Sequence, residues 1–138
     1  MTAPARFAAY PAATDYLFAL KSAGLKFGID RMQRLSAALG HPERSYPVVH
    51  LAGTNGKGSV SAMLERILRA AGCRTGLYTS PHLVKLGERV QVDRHLLRED
   101  EILAYVNELM PHAARIGAAD PDEHPSFFEF MTAMAFLQ

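Results

Sequence analysis

Length, composition and charge place the chain among small globular proteins and exclude several classes of function. Its 138 residues are 49% hydrophobic and 21% charged with a net charge of +1, which suffices for one core of modest size. The 15 lysines and arginines are scattered and form no basic surface for nucleic acid or a membrane. No apolar run approaches the ~20 residues of a membrane span. With the single cysteine Cys73 and no export signal, these features predict a cytoplasmic protein.

The first third of the chain predicts two helices. From Thr14 to Ala23, apolar side chains recur on one helical face. Asp30 is the expected N-cap of a second helix, and Gly40 is its expected left-handed C-terminal residue. Residues 1–45 are therefore expected to form a helical segment that precedes an α/β unit of residues 46–138.

A strand, a glycine-rich loop and a helix are predicted next. The apolar run 47–52 is typical of a short strand, in which His50 is expected to be a hydrogen-bonded core residue. The loop GTNGKGS follows, and apolar residues then recur at spacings of three and four from Ser59 to Gly72. A strand at 75–79 completes a right-handed βαβ order, so the predicted fold class is α/β, a P-loop-type parallel sheet flanked by helices.

The remaining sequence predicts a further strand and two helices. Residues 88–92 alternate like a strand, and helical spacing from Arg98 to Met110 is expected to end at Pro111. After a surface loop, a last helix begins at Ser126 and is apolar nearly all round. Because the chain ends inside that helix and a parallel sheet needs cover on both faces, we expect a fragment of a longer protein. Such a fragment is expected to expose apolar surface at 130–137 and to self-associate.

The glycine-rich loop has the layout of a phosphate-binding turn. Its glycines allow backbone amides to approach an anion closely, Lys57 supplies a cation, and Ser59 supplies a hydroxyl for phosphate or Mg²⁺. The spacing departs from G-x-x-x-x-G-K-[ST], which would need glycine at Leu51 and a hydroxyl at Gly58. The alternative is a turn that merely joins strand to helix. A lysine within a turn between a strand and an amphipathic helix favours phosphate binding.

Three stretches in this order resemble the folylpolyglutamate synthase and dihydrofolate synthase family, a branch of the Mur ligase superfamily. They are HLAGTNGKGSV at 50–60, TSPHLVKLGERVQV at 79–92 and SFFEFMTAMAF at 126–136. A looser match, KFGIDRMQRLSAALG at 26–40, is similar to a segment that bacterial bifunctional members place near the pterin. The resemblance covers the chain from Asp15 onward. It implies the N-terminal part of an ATP-binding ligase domain, with the rest of the catalytic domain and the C-terminal domain absent.

What the resemblance implies is an ATP-dependent amide ligase. The carboxylate of dihydropteroate or of a folate is phosphorylated to an acyl phosphate, and the amine of L-glutamate then displaces phosphate. The expected partners are these small molecules, with no nucleic acid or membrane, and the full-length protein is expected to be a monomer. The chain alone is expected to be inactive. Competing hypotheses are another Mur-type ligase, a P-loop kinase, or a nucleotide-binding module without catalysis.

The resemblance also implies roles for individual residues. The expected catalytic set is Lys57, Ser80, His82 and Glu129, of which Ser80 and Glu129 coordinate Mg²⁺. The loop that holds ATP comprises Gly53, Thr54, Asn55, Gly56, Lys57, Gly58 and Ser59. The expected pterin pocket comprises Phe27, Gly28, Ile29, Arg31, Ser126 and Phe128.

Four of these residues have a simpler alternative role. Ser126 and Glu129 have the spacing of a capping box, in which each side chain satisfies a donor at the start of a helix. Ser80, which precedes a proline, is also an ordinary turn residue, and His82 is also a solvent-facing loop histidine.

Overall fold

The computed structural model describes residues 5–22, 28–118 and 120–138. In this part of the chain the α-helices are α1 (Tyr10–Ser22), α2 (Asp30–Ala38), α3 (Lys57–Ala70), α4 (Glu99–Ile116) and α5 (Phe127–Leu137). The strands are β1 (Gly76–Tyr78), β2 (Val90–Val92) and β3 (His95–Leu96). Short 3-10 helices cover Pro42–Arg44, Leu86–Arg89 and Pro121–Glu123.

The hydrophobic core surrounds α5. Its residues Phe130, Met131, Ala133 and Met134 are completely buried. Helices α1, α2 and α4 pack against it together with β1 and β2, so the N-terminal helices share one core with the rest of the chain. The prediction that 130–137 exposes apolar surface is therefore wrong, because elements of the same chain cover this helix.

The sheet is antiparallel in the order β1-β2-β3. Gly76 lies opposite Val92, and Val92 lies opposite His95 across a two-residue turn. The expected strand at 47–52 is not formed, and the described sheet contains no parallel pair. A strand needs a neighbour for its backbone hydrogen bonds, and no described residues pair with 47–52. His50, expected in the core, is exposed.

The ends of α1 and α2 follow local sequence signals with two differences. Helix α1 begins at Tyr10, earlier than the expected Thr14. Asp30 is the first residue of α2, where its charge suits the helix N-terminus, and Ile29 occupies the N-cap position. Gly40 adopts the expected left-handed conformation with φ of 78°.

Helix α4 continues through Pro111, so the prediction that this proline ends the helix is wrong. Proline removes one backbone hydrogen bond and costs about 3 kcal/mol in a helix interior. Here buried residues lie on both sides of the proline, among them Val106, Leu109 and Ala113. Since Pro111 itself is exposed, burial of that apolar stripe holds the helix together across the break.

Candidate functional site

The glycine-rich loop leads directly into the N-terminus of α3. Gly53 and Gly56 have φ of 151° and 75°, which side chains with a Cβ rarely adopt, so these turns require glycine. Gly56 is the N-cap, and no side chain caps the helix. In the described part of the chain, the backbone N–H groups of 53–59 donate no hydrogen bond to another protein group. The first-turn amides of α3 therefore point into solvent, as an anion-binding helix N-terminus requires.

The side chain of Lys57 folds back over this loop. Its Nζ donates hydrogen bonds to the carbonyl oxygens of Gly53 at 2.6 Å and of Thr54 at 3.3 Å. The ammonium group and the free amides thus lie on the same exposed turn. A phosphate bound there would meet a cation and several backbone donors at once, which is the chemistry expected of these residues.

A second predicted motif forms a closed loop between β1 and β2. The carboxylate of Glu88 accepts hydrogen bonds from the backbone N–H groups of Leu83, Val84 and Lys85 at 2.7, 3.0 and 2.7 Å. These hydrogen bonds lower the pKa of Glu88. The carboxylate therefore fixes the tip of the loop, although the side chains of Leu83 and Val84 are exposed. Ser80, at the beginning of the loop, is exposed as well.

Arg89 joins this loop to α5. Its Nε donates a hydrogen bond to Nδ1 of His82 at 2.8 Å, and its guanidinium carbon lies 5.2 Å from the centre of the Phe127 ring. Arg89 is buried, whereas His82 is partly exposed. Burial, and next to it the positive charge of Arg89, lowers the pKa of His82. Sequence reasoning missed Arg89, because an arginine at the start of a strand carries no signal of its own.

Glu129 lies at the start of α5 and forms the capping box. Its carboxylate accepts a hydrogen bond from the backbone N–H of Ser126 at 2.7 Å, and the Ser126 hydroxyl accepts one from the Glu129 N–H. Arg31 from α2 approaches the same carboxylate at 3.3 Å. Both charged side chains are buried, so the simpler structural role of Glu129 is realised. A role in metal binding stays a prediction.

The residues expected around the pterin are partly brought together. Arg31 and Ser126 meet through Glu129, which joins the start of α2 to the start of α5. Gly28 and Ile29 precede α2 and are exposed, and Phe128 is exposed with its ring 6.1 Å from that of Tyr78. Phe27 lies outside the described residues.

The glycine-rich loop and the second group of residues are not directly connected. In the described ranges, no hydrogen bond or ion pair of residues 53–59 reaches the loop 79–89 or the start of α5. Within the same ranges, no group of three or more His, Cys, Asp and Glu side chains forms a metal cluster. None of the described helices combines the length and the apolar character of a membrane span.

Comparisons with known proteins agree on one family. The chain is 41% identical over 133 residues to a dihydrofolate synthase/folylpolyglutamate synthase of Bacillus subtilis, a match over 95% of this chain and 30% of that protein. A folylpolyglutamate synthase of Thermotoga maritima superposes with a TM-score of 0.84 at 36% identity, over 93% of this chain and 29% of the other. A structure described as an FPGS–AMPPCP–folate complex has a TM-score of 0.81 at 28% identity, over 93% and 31%. No family model matches the chain.

These similarities identify an α/β protein with the fold of the Mur ligase superfamily, which confirms the predicted fold class, although the strands of the described residues pair antiparallel and not parallel as expected. Within it, the chain belongs to the folylpolyglutamate synthase and dihydrofolate synthase family, as its three motifs predict. The chain spans 29–31% of the length of these three relatives.

Proposed function

We propose that the full-length protein is an ATP-dependent ligase that joins L-glutamate to dihydropteroate, to a folate, or to both. The main observation in support is that the Lys57 ammonium and the free backbone amides at the start of α3 lie together on the turn 53–59. An ATP analogue and folate are named together in the complex of a similar protein. The family match supports this chemistry over other Mur-type ligases, P-loop kinases and modules without catalysis.

The proposed reaction demands charge neutralisation and alignment. The substrate carboxylate oxygen attacks the γ-phosphorus of ATP, the bond to the β-phosphate oxygen breaks, and ADP leaves. The amine of glutamate then attacks the acyl carbon and phosphate departs. In this reaction Lys57 and the loop amides hold the triphosphate in place and neutralise charge that develops during transfer.

Ser80 and Glu129 are proposed to help hold Mg²⁺, and His82 to contact phosphate or substrate. A hydroxyl and a carboxylate are the oxygen donors that Mg²⁺ prefers, and the two oxygens of the Glu129 carboxylate retain lone pairs beyond their contacts with Arg31 and Ser126. The ion, when bound, offsets the negative charge of the phosphates. We expect its remaining ligands to be water and phosphate oxygens.

The pterin ring is proposed to lie near the starts of α2 and α5. Ile29 and Phe128 offer exposed apolar surface there, and the Arg31–Glu129 pair fixes the two helices relative to each other. Gly28, Phe27 and Ser126 complete the proposed pocket. The assignment of residues 1–138 to one ligase domain, with a helical segment 1–45 and an α/β unit 46–138, belongs to the same proposal. So do the cytoplasmic location, the monomeric state of the full-length protein and the inactivity of this chain alone.

The test is phosphate release by the full-length protein with ATP, glutamate and either dihydropteroate or a folate. Replacing Lys57 by alanine is expected to lower kcat/KM for ATP by about 100-fold or more, since one electrostatic donor to a transition state has this effect. Arg66→Ala, which removes an exposed cation from the same helix, is the control and is expected to leave the rate within twofold.

Three outcomes would contradict the proposal. If the Lys57→Ala variant formed product at an undiminished rate, the proposed role of the turn 53–59 in holding ATP would be wrong. Phosphate release that does not depend on glutamate would favour a kinase or another ATPase, and nucleotide binding without turnover on either acceptor would favour a binding module.

A further inference from the structure

Within the described part of the chain, helix α3 is attached to the region of the sheet through the charged residue Glu65. All of its residues are described, and Glu65 is the only buried one, with 4% of its surface exposed. The apolar residues Met63 and Ile67 on the same helix are 58% and 64% exposed. A surface helix is ordinarily held by its apolar stripe. Within the described part of the chain, the attachment of α3 is made by the charged group of Glu65.

The Glu65 carboxylate is surrounded by donors. Thr75 Oγ1 donates to it at 2.9 Å and Arg69 Nε at 3.1 Å, while Arg94 Nε donates to its second oxygen. Burial by itself raises the pKa of Glu65, but the hydrogen bonds from Thr75 and Arg94 and the charges of Arg94 and Arg69 outweigh it and lower the pKa. Glu65 is therefore an ionised group whose partners come from two other parts of the chain.

Two of these partners, Thr75 and Arg94, lie next to strands of the sheet, whereas Arg69 belongs to α3 itself. Thr75 directly precedes β1, and Arg94 lies in the turn between β2 and β3, where its φ of 69° is unusual for a residue other than glycine. The Arg94 Nη2 group also donates to the carbonyl oxygen of Ala62 on α3 at 2.8 Å. Asp93, the other turn residue, accepts a hydrogen bond from the Thr75 N–H at 2.9 Å. The hydrogen bonds from Arg94 to Glu65 and Ala62 on α3 thus offset the free-energy cost of the left-handed backbone conformation of Arg94.

The Glu65 cluster links α3, which begins at the phosphate-binding turn, to the strands that flank the loop 79–89. Glu65 lies about two turns along α3 from Lys57, and the helix transmits any tilt or rotation to the amides at its N-terminus. The loop 79–89 is anchored by β1 and β2, which flank it on both sides. Among the described residues, 53–59 make no hydrogen bond or ion pair to that loop, whereas the Glu65 cluster joins α3 directly to the residues next to β1 and β2.

We propose that Glu65 and Arg94 are positioning residues that hold the phosphate-binding turn in register with the loop 79–89. Neither side chain touches a substrate in this proposal, which rests on the proposed function of the turn in ATP binding. Loss of the pair is expected to weaken ATP binding while the response to glutamate changes little, because only α3 would shift.

Two variants of the full-length protein test the proposal. Glu65→Gln keeps size and an acceptor for Thr75 but removes the charge. Arg94→Gly removes the guanidinium and at the same time relieves the unfavourable φ, so the hairpin itself is not weakened. Each variant is expected to raise KM for ATP about tenfold, which is the effect expected when reacting groups shift by well below 1 Å. KM for glutamate is expected to stay within twofold of its original value. The conservative variant Arg94→Lys is expected to restore part of the affinity for ATP.

Matched controls separate this proposal from the proposed function. Glu123→Gln removes a carboxylate that pairs with Arg34 at 2.8 Å elsewhere on the molecule, and it is expected to leave KM for ATP unchanged. If Lys57→Ala impairs ATP use but Glu65→Gln and Arg94→Gly do not, the positioning role is overturned while the proposed function stands. Equal changes in all kinetic constants with a lowered Tm would also overturn it, since they indicate general destabilisation. If Lys57→Ala has no effect, both proposals fail.

Discussion

Burial, and next to it the contact with Arg89, lowers the pKa of His82 and favours the neutral form of the histidine. Because Nδ1 of His82 accepts a hydrogen bond from Arg89, its lone pair must be free, and the nearby guanidinium disfavours a second positive charge. Arg89 in turn is held by the ring of Phe127. The sequence motif indicated His82 as a site residue but did not indicate its partner Arg89, since the two side chains meet only after β2 has folded back beside β1.

We predict that His82 is neutral at pH 7 and titrates below 6.5, its ordinary pKa. The pKa is lowered in the folded state, so the unfolded chain takes up the proton first as the pH falls. The stability contributed by the neutral histidine is therefore complete above 6.5 and is lost as the pH falls below that value. NMR titration of the full-length protein labelled with ¹³C-histidine measures the midpoint, and the variant His82→Asn assigns the signal. A midpoint above 6.5 would contradict the prediction that burial and the charge of Arg89 favour the neutral histidine.

Helix α4 illustrates how tertiary packing overrides a local rule. Proline is an ordinary helix terminator, yet the helix runs from Glu99 to Ile116 around Pro111. The buried stripe extends to Ala113 beyond the proline, so ending the helix earlier would expose apolar surface. At the start of α5, by contrast, local and tertiary preferences agree, and the capping box of Ser126 and Glu129 forms where the spacing predicts it.

Replacing Pro111 by alanine is expected to stabilise the protein. Alanine restores an N–H that can donate to the carbonyl oxygen of Asn107 and removes the ring from the helix interior. The expected gain is about 1–3 kcal/mol, up to the difference between proline and alanine in helix propensity. Denaturant unfolding of the full-length protein measures it, with the exposed substitution Glu108→Ala on the same helix expected to change stability by about 0.5 kcal/mol or less. A loss of stability would show that the surroundings require the break.

At the scale of the whole molecule, apolar surface lies where the sequence did not predict it. Helix α5 is covered, whereas the apolar side chains of α3 and the segment 47–49 are not. The exposed set comprises Val48, Val49, Val60, Met63, Ile67 and Leu68. Exposed apolar patches of this kind favour association.

We expect the 138-residue chain on its own to self-associate through this set. Ile67→Lys and Met63→Lys, which place charges among the exposed apolar side chains of α3, are expected to shift the population toward monomer by several-fold. Light scattering coupled to size exclusion measures the mass at several protein concentrations. The matched substitution Phe18→Lys, at a large apolar residue exposed elsewhere at 41%, serves as the control. Association that persists unchanged in the α3 variants would place the contact on another surface.

The sequence by itself determined the features that depend on neighbours three or four residues apart. These are the helical stripes, the cap of α5, the glycine turn before α3 and the motifs that identify the family. Tertiary structure decided which surfaces are covered and which charges meet, as in the pairs Arg31–Glu129 and Glu65–Arg94, whose members are 98 and 29 residues apart. The physical reason is that helix spacing and capping are satisfied within one or two turns. Burial of a charge or pairing of a strand depends instead on a distant partner that only the folded chain supplies.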